Sequence, residues 1–379
     1  MKENTKKKKI AWGQYIGIGF FMLIGAVCGV LFVQYMESAM GGDKPLHEEL
    51  LTLAVLFVGM YVGMFVQIVI HEGGHLVFGL LSGYKFSSFR IFSIMFLKEN
   101  GKIKLKRLSI AGTGGQCLMT PPDMVDGKIP VVLYNLGGSI MNVIASVIFW
   151  ALSLVLKGIP LLSTLLLIFA IVGIGFAITN GVPLRMGMVD NDGYNAFSLS
   201  KNPAAMRAFW LQLKINDQNA RGVRLKDMPE EWFELPAEED MKNSLVATIA
   251  VFVCNRLMDA HEFEEADKLM ARLIAMESGI IGLHRNLMIA DRMYLELIGE
   301  SRSTVIEGLL TKEQKKFMKQ MKNFLSVIRT EYAYALLYER DAAKAEKIKL
   351  QFEKAVKSYP YASDIESERE LLEFAVQKA

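Results

Sequence analysis

The sequence predicts a polytopic α-helical membrane protein of about four spans, with a cytoplasmic-side β-hairpin, followed by an all-α soluble domain. Three observations predict this fold class. The chain has 379 residues, 52% of them hydrophobic, which is enough for one large unit or two domains. The long apolar runs lie before residue 182, whereas the chain after about residue 196 is rich in charge. A run of alternating, β-prone residues separates the second apolar run from the third.

Four apolar runs are long enough to cross a bilayer, which takes roughly 20 residues in a helix. The predicted spans are Trp12–Met36, Leu50–Leu81, Val131–Leu156 and Leu161–Asn180. The first run follows a basic segment, as in a signal peptide, but it is too long for one and no small-residue cleavage site follows. We therefore interpret it as an uncleaved first membrane helix.

The distribution of lysine and arginine predicts the orientation in the membrane. Lys6 to Lys9 place the N-terminus in the cytoplasm. The segment from Tyr84 to Pro130 carries eight basic residues, so it is also predicted inside: Lys85, Arg90, Lys98, Lys102, Lys104, Lys106, Arg107 and Lys128. The alternation leaves both termini in the cytoplasm. Four spans without an organelle signal suggest a bacterial cell membrane protein of the multi-pass type.

The segment after the second span is predicted to form a β-hairpin. Residues 85–110 alternate in polarity, and Asn100-Gly101 is a strong signal for a tight turn between two strands. The following "AGTGGQCLMTPPD", residues 111–123, is rich in glycine and proline and is predicted to be an irregular loop.

The soluble half has helical spacing of its apolar residues. Residues 241–276 and 329–361 each predict two helices joined by a short turn. Phe352, Ala355 and Pro360 resemble a degenerate tetratricopeptide-type hairpin repeat, although a plain helical bundle fits as well. The predicted domains are 1–48 (basic segment and first span), 49–196 (membrane core) and 197–379 (cytoplasmic helical domain). Helical hairpins of this kind suit the binding of a protein partner.

Composition excludes several classes of function. The net charge is +3, and no basic stripe interleaved with aromatic residues occurs, so no nucleic-acid partner is expected. The three cysteines are far apart, with no C-x-x-C, which argues against a disulfide framework or a cysteine zinc site. The expected surroundings are the lipid bilayer and a protein or peptide partner.

The most informative stretch is His71-Glu72-Gly73-Gly74-His75, in the middle of the second apolar run. Ionisable residues in such a run are costly and usually functional. Residues i and i+4 share one face of a helix, so the two imidazoles can reach one metal ion, with the glutamate placed to act on its water. Zinc suits this set. The adjacent small glycines allow another backbone to approach closely.

A catalytic zinc with one open position requires one more protein ligand. The fourth span leads into "VDNDG", which offers two acidic candidates, Asp190 and Asp192. The residues by themselves do not choose between them. The alternative to a metal site is a structural cluster of polar groups where two helices pack.

This order of motifs resembles the site-2 proteases, which are zinc intramembrane proteases. The resemblance covers roughly residues 50–196. The matching residues are His71, Glu72 and His75, then Gly138 and Asn142 in "GGSIMN", then Asn180 and Pro183 in "NGVP", then Asp192-Gly193. Two positions depart from the family pattern. Ser139 stands where a proline is usual, and the distance from Pro183 to Asp192 is longer, which keeps Asp190 as an alternative.

The resemblance implies a role for each matched residue. His71, His75 and Asp192 would be the zinc (Zn2+) ligands, and Glu72 the catalytic residue that activates a zinc-bound water. Asn142 would position the substrate, and Gly138 belongs to the same substrate-binding motif. The implied function is a zinc-dependent intramembrane endopeptidase acting on membrane-anchored proteins or signal-peptide remnants.

A substrate segment is expected to unwind and add as a strand to the edge of the hairpin. Two other functions stay open at this point. One is a catalytically inactive membrane scaffold whose helical domain binds a partner. The other is a metal transporter, which the lack of repeated halves argues against.

Overall fold

The fold was analysed in a computed structural model that describes residues 12–39, 45–99, 101–109, 113–184 and 190–379. These residues form helices and one four-stranded sheet. They divide into two compact units. The described residues of Met1–Gly83 and Pro130–Lys201 form the first unit, and those of Tyr84–Ile129 and Asn202–Ala379 form the second.

The first unit is helical. Its helices are α1 (Trp12–Ala39), α2 (Leu46–Leu81), α3 (Val132–Val155), α4 (Pro160–Gly181) and the short α5 (Asp192–Ser198). Within the described residues, three helices are long and apolar enough to cross a membrane, namely α2, α3 and α4. Their bounds fall close to the last three predicted spans.

Helix α1 covers the first predicted span. Its described apolar stretch, Met22–Tyr35, is shorter than a membrane crossing requires. The count of four spans and the cytoplasmic position of both termini therefore stay predictions. Lys6 to Lys9, on which the orientation of the N-terminus depends, lie outside the described residues.

Close packing of α2 against α3 explains one glycine of the histidine motif. A Cβ atom placed on Gly74 would lie 2.3 Å from the carbonyl oxygen of Gly137. The two backbones are thus in direct contact, as small residues permit in membrane bundles. A Cβ on Gly73 would meet nothing within 4 Å, so Gly73 has open space beside it.

The sheet belongs to the second unit and has the order β3-β2-β1-β4, with β1 (Lys85–Ile91), β2 (Ile94–Glu99), β3 (Lys102–Arg107) and β4 (Gly115–Thr120). All neighbouring strands are antiparallel. The predicted turn is confirmed, because Glu99 pairs with Lys102 across it. Asn100 itself lies outside the described residues.

The prediction of an irregular loop after the hairpin was wrong. Part of that loop, Gly115–Thr120, is strand β4, which pairs with β1 and buries Cys117 and Met119. Its glycines and prolines mark the ends of the strand. The partner strand lies about 30 residues earlier in the chain, so local sequence patterns did not reveal the pairing.

Helices form the remainder of the second unit. They are α6 (Pro203–Ala220), α7 (Ser244–Asp259), α8 (Phe263–Ala275), α9 (Gly282–Ile298), α10 (Ser303–Leu309), α11 (Lys312–Gln320), α12 (Leu325–Ala333), α13 (Ala342–Val356) and α14 (Ala362–Gln377). Both predicted helix pairs are confirmed, as α7 with α8 and α12 with α13. The same compact unit also contains the sheet. An all-α domain, its boundaries and its repeat character therefore stay predictions.

A buried arginine joins three of these helices. Arg329 on α12 is 1% exposed and lies 4.3 Å from the centre of the Tyr294 ring on α9. Its guanidinium donates to the carboxylate of Asp291 on α9 and, over 3.0 Å, to that of Glu368 on α14. Buried charges are tolerated when they are paired in this way.

Candidate metal centre

Three of the predicted site residues come together in the first unit. His71 and His75 lie one turn apart on α2, and Asp192 is the first residue of α5. Oδ2 of Asp192 is 3.1 Å from Nε2 of His71 and 3.4 Å from Nε2 of His75. The two Nε2 atoms are 3.2 Å apart. The three ligand-type atoms form a compact group that could hold a metal ion.

The other nitrogen of each ring faces an oxygen that can only accept a hydrogen bond. Nδ1 of His71 is 2.7 Å from Oδ1 of Asn142, and Nδ1 of His75 is 2.8 Å from the carbonyl oxygen of Tyr134. In the neutral form of each ring, Nδ1 therefore carries the proton and the lone pair of Nε2 is directed into the group. Metal-ligating histidines are held by the same kind of partner.

The chemistry of these side chains fits a zinc ion. With neutral rings, two imidazole lone pairs and one carboxylate oxygen converge on one point, where all three would attract a cation. Two histidines with one carboxylate are a known set for catalytic zinc, which takes three protein ligands and keeps one position open. Both histidines are buried, at 7% and 8% exposure, whereas the side chain of Asp192 is 26% exposed.

The aspartate in the group is Asp192, and the residue before it explains its placement. The side chain of Asn191 is buried and makes four hydrogen bonds, three of them to residues at or just after the end of α4 and one to the first turn of α5. Its Oδ1 accepts from the backbone N–H groups of Leu184 and Tyr194, and its Nδ2 donates to the carbonyl oxygens of Thr179 and Val182. Asp190 is not a member of the group. Sequence reasoning missed Asn191, although its place before a short helix is typical of an N-cap.

A comparison with protein families decides the relationship. The family model described as Peptidase family M50 matches residues 59–356, well over half of the chain. The chain belongs to Peptidase family M50. The match contains the two histidines, Glu72 and Asp192, and it confirms the resemblance to site-2 proteases. A metalloprotease is the activity that membership implies. No curated protein and no solved structure matches the chain.

Glu72 of this M50 chain follows His71 directly on α2 and is buried, at 8% exposure. A carboxylate inside a membrane-length helix is costly, so its place beside the histidines favours a chemical role. Asn180, which belongs to another matched motif, donates to the carbonyl oxygen of Phe176 one turn earlier on α4.

Asn142 of the M50 chain is in a hydrogen-bond network that the sequence did not reveal. Besides accepting from His71, it donates from Nδ2 to the backbone carbonyl oxygen of Gln67 over 2.9 Å and to its side-chain Oε1 over 2.7 Å. Both amide hydrogens are thus used within the protein. The predicted role of Asn142 in substrate positioning stays a prediction, and contact with His71 is its observed environment. The signal for Gln67 was a polar residue in an apolar run, one turn before His71.

Gly138 lies directly against the ring of His71. A Cβ atom placed there would be 2.5 Å from Cε1 and 2.6 Å from Nδ1 of the imidazole. The missing side chain therefore makes room for a histidine of the candidate metal centre. Whether Gly138 also contacts substrate, as the family motif implied, stays a prediction.

Proposed function

We propose that this M50 chain is a zinc-dependent intramembrane endopeptidase that cleaves membrane-anchored proteins or signal-peptide remnants. One observation carries the proposal. Two buried histidines on a membrane-length helix direct their Nε2 lone pairs at the carboxylate of Asp192, while both Nδ1 atoms are engaged elsewhere.

In this proposal His71, His75 and Asp192 hold the zinc, and Glu72 is the catalytic residue. Zinc, when bound, supplies a Lewis acid that polarises the scissile carbonyl and makes water acidic enough to ionise near neutral pH. Glu72 accepts the proton of the attacking water and then passes it to the leaving amine. The burial of His71, Glu72 and His75 strengthens their interaction with the developing charge.

The substrate is proposed to be a membrane-anchored chain because the histidines belong to a helix long enough to span a bilayer. A helical substrate shields its peptide bonds, so a segment must unwind before attack. The sheet offers β3 as an edge strand to which an extended segment adds. The protein is proposed to reside in the bacterial cell membrane with both termini in the cytoplasm, where the helical region recruits a substrate tail or a partner.

The first experiment measures zinc in the full-length protein purified in detergent. We expect about one zinc per chain in the wild type, because the site has three convergent ligand atoms. His71→Ala and Asp192→Ala should lose most of the metal, whereas the matched variant Asp190→Ala should retain it. If Asp190→Ala lost the zinc and Asp192→Ala retained it, the third ligand would be Asp190. A wild type without metal, even after zinc is supplied, would favour the scaffold instead.

The second experiment separates metal binding from chemistry through Glu72→Gln. This variant should retain zinc but cleave a panel of membrane-anchored reporter proteins at least about 100-fold more slowly, since removal of a general base costs that much. Gly73→Ala, at a neighbouring position with open space, is the control for the fold of α2. Rapid cleavage by Glu72→Gln would contradict the proposed mechanism.

A further inference from the structure

We infer that Gln67 is a positioning residue which, through Asn142, determines the nitrogen that His71 presents to the metal centre. The inference rests on the proposed function, because it assumes that His71 binds a metal through Nε2. Gln67 is 0% exposed and lies one turn before His71 on α2. A polar side chain in the middle of a membrane-length helix requires a reason of this kind.

The first hydrogen bond of the network fixes the orientation of the Gln67 amide. Its Nε2 donates to the backbone carbonyl oxygen of Phe169 on α4 over 2.9 Å. A carbonyl oxygen can only accept, so the nitrogen of Gln67 must face α4. Its Oε1 is consequently turned towards α3.

The second step fixes Asn142. Oε1 of Gln67 accepts from Nδ2 of Asn142 over 2.7 Å, and the backbone oxygen of Gln67 accepts from the same nitrogen over 2.9 Å. Because both oxygen atoms of Gln67 can only accept, the amide nitrogen of Asn142 must face Gln67. Oδ1 of Asn142 is thereby directed at Nδ1 of His71, 2.7 Å away.

The third step reaches the metal centre. Because Oδ1 of Asn142 can only accept, the neutral ring of His71 carries its proton on Nδ1 and retains the lone pair of Nε2. If the Asn142 amide turned over, its nitrogen would face Nδ1, and the ring proton would have to move to Nε2. A protonated Nε2 does not bind a metal. Gln67 opposes that reversal without touching the metal centre itself.

The surroundings prevent water from replacing this network. Asn142, like Gln67, is 0% exposed. A Cβ atom on Gly173 would lie 2.3 Å from Nε2 of Gln67 and 2.2 Å from Oγ of Ser146, so the amide is enclosed by α3 and α4. The orientation of Asn142 therefore depends on the Gln67 side chain and backbone together, and the side chain is the part that a substitution can remove.

The test measures metal affinity in the full-length protein, with Zn2+ competition and with the absorption spectrum of bound Co2+. Gln67→Met retains the length of the side chain but cannot accept from Asn142, so Zn2+ and Co2+ affinity should fall about 10- to 100-fold. In Gln67→Glu, a protonated carboxyl group can donate to the carbonyl oxygen of Phe169 and accept from Asn142. Its metal affinity should therefore lie within a few-fold of the wild type. The control is Ser153→Ala, which removes a buried hydroxyl group elsewhere on α3 and should leave metal affinity unchanged.

A double-mutant cycle separates positioning from general packing. If Gln67 acts through Asn142, then Gln67→Met should add no further loss of affinity to Asn142→Ala. Additive losses, equal losses in Gln67→Met and Gln67→Glu, or unchanged affinity in Gln67→Met would each overturn the inference while leaving the proposed function intact. A wild type that binds neither Zn2+ nor Co2+ would overturn both.

Discussion

At the residue scale, the imidazole of His71 contacts three residues that are distant in the sequence, in addition to His75 on the same helix. Asp192 lies at Nε2, Asn142 accepts at Nδ1, and Gly138 packs against the ring. Helices α2 and α3, which carry His71 and Gly138, could not pack in this arrangement with a larger residue at position 138. A single methyl group is therefore enough to disturb the candidate metal centre.

Gly138→Ala should lower zinc affinity at least about tenfold, because its Cβ would lie within 2.5 Å of the ring and force His71 to move. Gly73→Ala is the matched control, since its Cβ would meet nothing within 4 Å. Zinc competition on the two purified variants checks the prediction. Equal affinities would show that the ring tolerates the displacement.

At the scale of elements, buried charge connects the helices of the second unit. Arg329 links α9, α12 and α14, and Asp364 lies in the first turn of α14. Burial raises the pKa of Asp364 to about 6, although Tyr359 and Asn219 are placed to donate hydrogen bonds to it. The carboxyl group is thus more easily protonated in the folded state than in the unfolded chain.

The sign of this shift predicts a pH dependence of stability. The stabilising contribution of Asp364 is complete below its unfolded pKa, near 4, and is lost as the pH rises through about 6. At pH 7.5, Asp364→Asn should therefore increase the free energy of unfolding by on the order of 2 kcal/mol and raise the melting temperature relative to the wild type. At pH 5 the effect should be smaller. Melting curves of the full-length protein at the two pH values measure this. Glu373→Gln, at an exposed position on α14, is the control and should show no such difference.

At the scale of the whole molecule, the parity of the spans determines where the termini lie. The described residues contain three helices able to cross a membrane, and the sequence predicts a fourth at Trp12–Met36. Four spans place both termini on one side, whereas three place them on opposite sides. The basic residues Lys6 to Lys9 favour a cytoplasmic N-terminus.

Reporter fusions in a bacterial host test this parity. With four spans, green fluorescent protein fused to either terminus should fluoresce, and alkaline phosphatase fused to either should be inactive, because both reporters would remain in the cytoplasm. Deletion of residues 1–41 should reduce the number of spans by one. A phosphatase that is active at the C-terminus, together with fluorescence of green fluorescent protein at the N-terminus, would indicate three spans.

The sequence alone determined those features of the protein that depend on residues close together in the chain. The apolar runs predicted α2, α3 and α4 because span length depends only on consecutive residues. The turn between Glu99 and Lys102 followed from backbone preferences, and the shared face of His71 and His75 from helical geometry. Family membership likewise followed from short motifs at characteristic intervals.

Features that join distant parts of the chain were decided by the tertiary structure. Strand β4 depends on pairing with β1, and the choice of Asp192 over Asp190 as a member of the group depends on the hydrogen bonds of Asn191 to the end of α4. The network from Gln67 through Asn142 to His71 requires α2, α3 and α4 to pack in one register. Directed hydrogen bonds depend on distances between side chains, and only the packed helices set those distances.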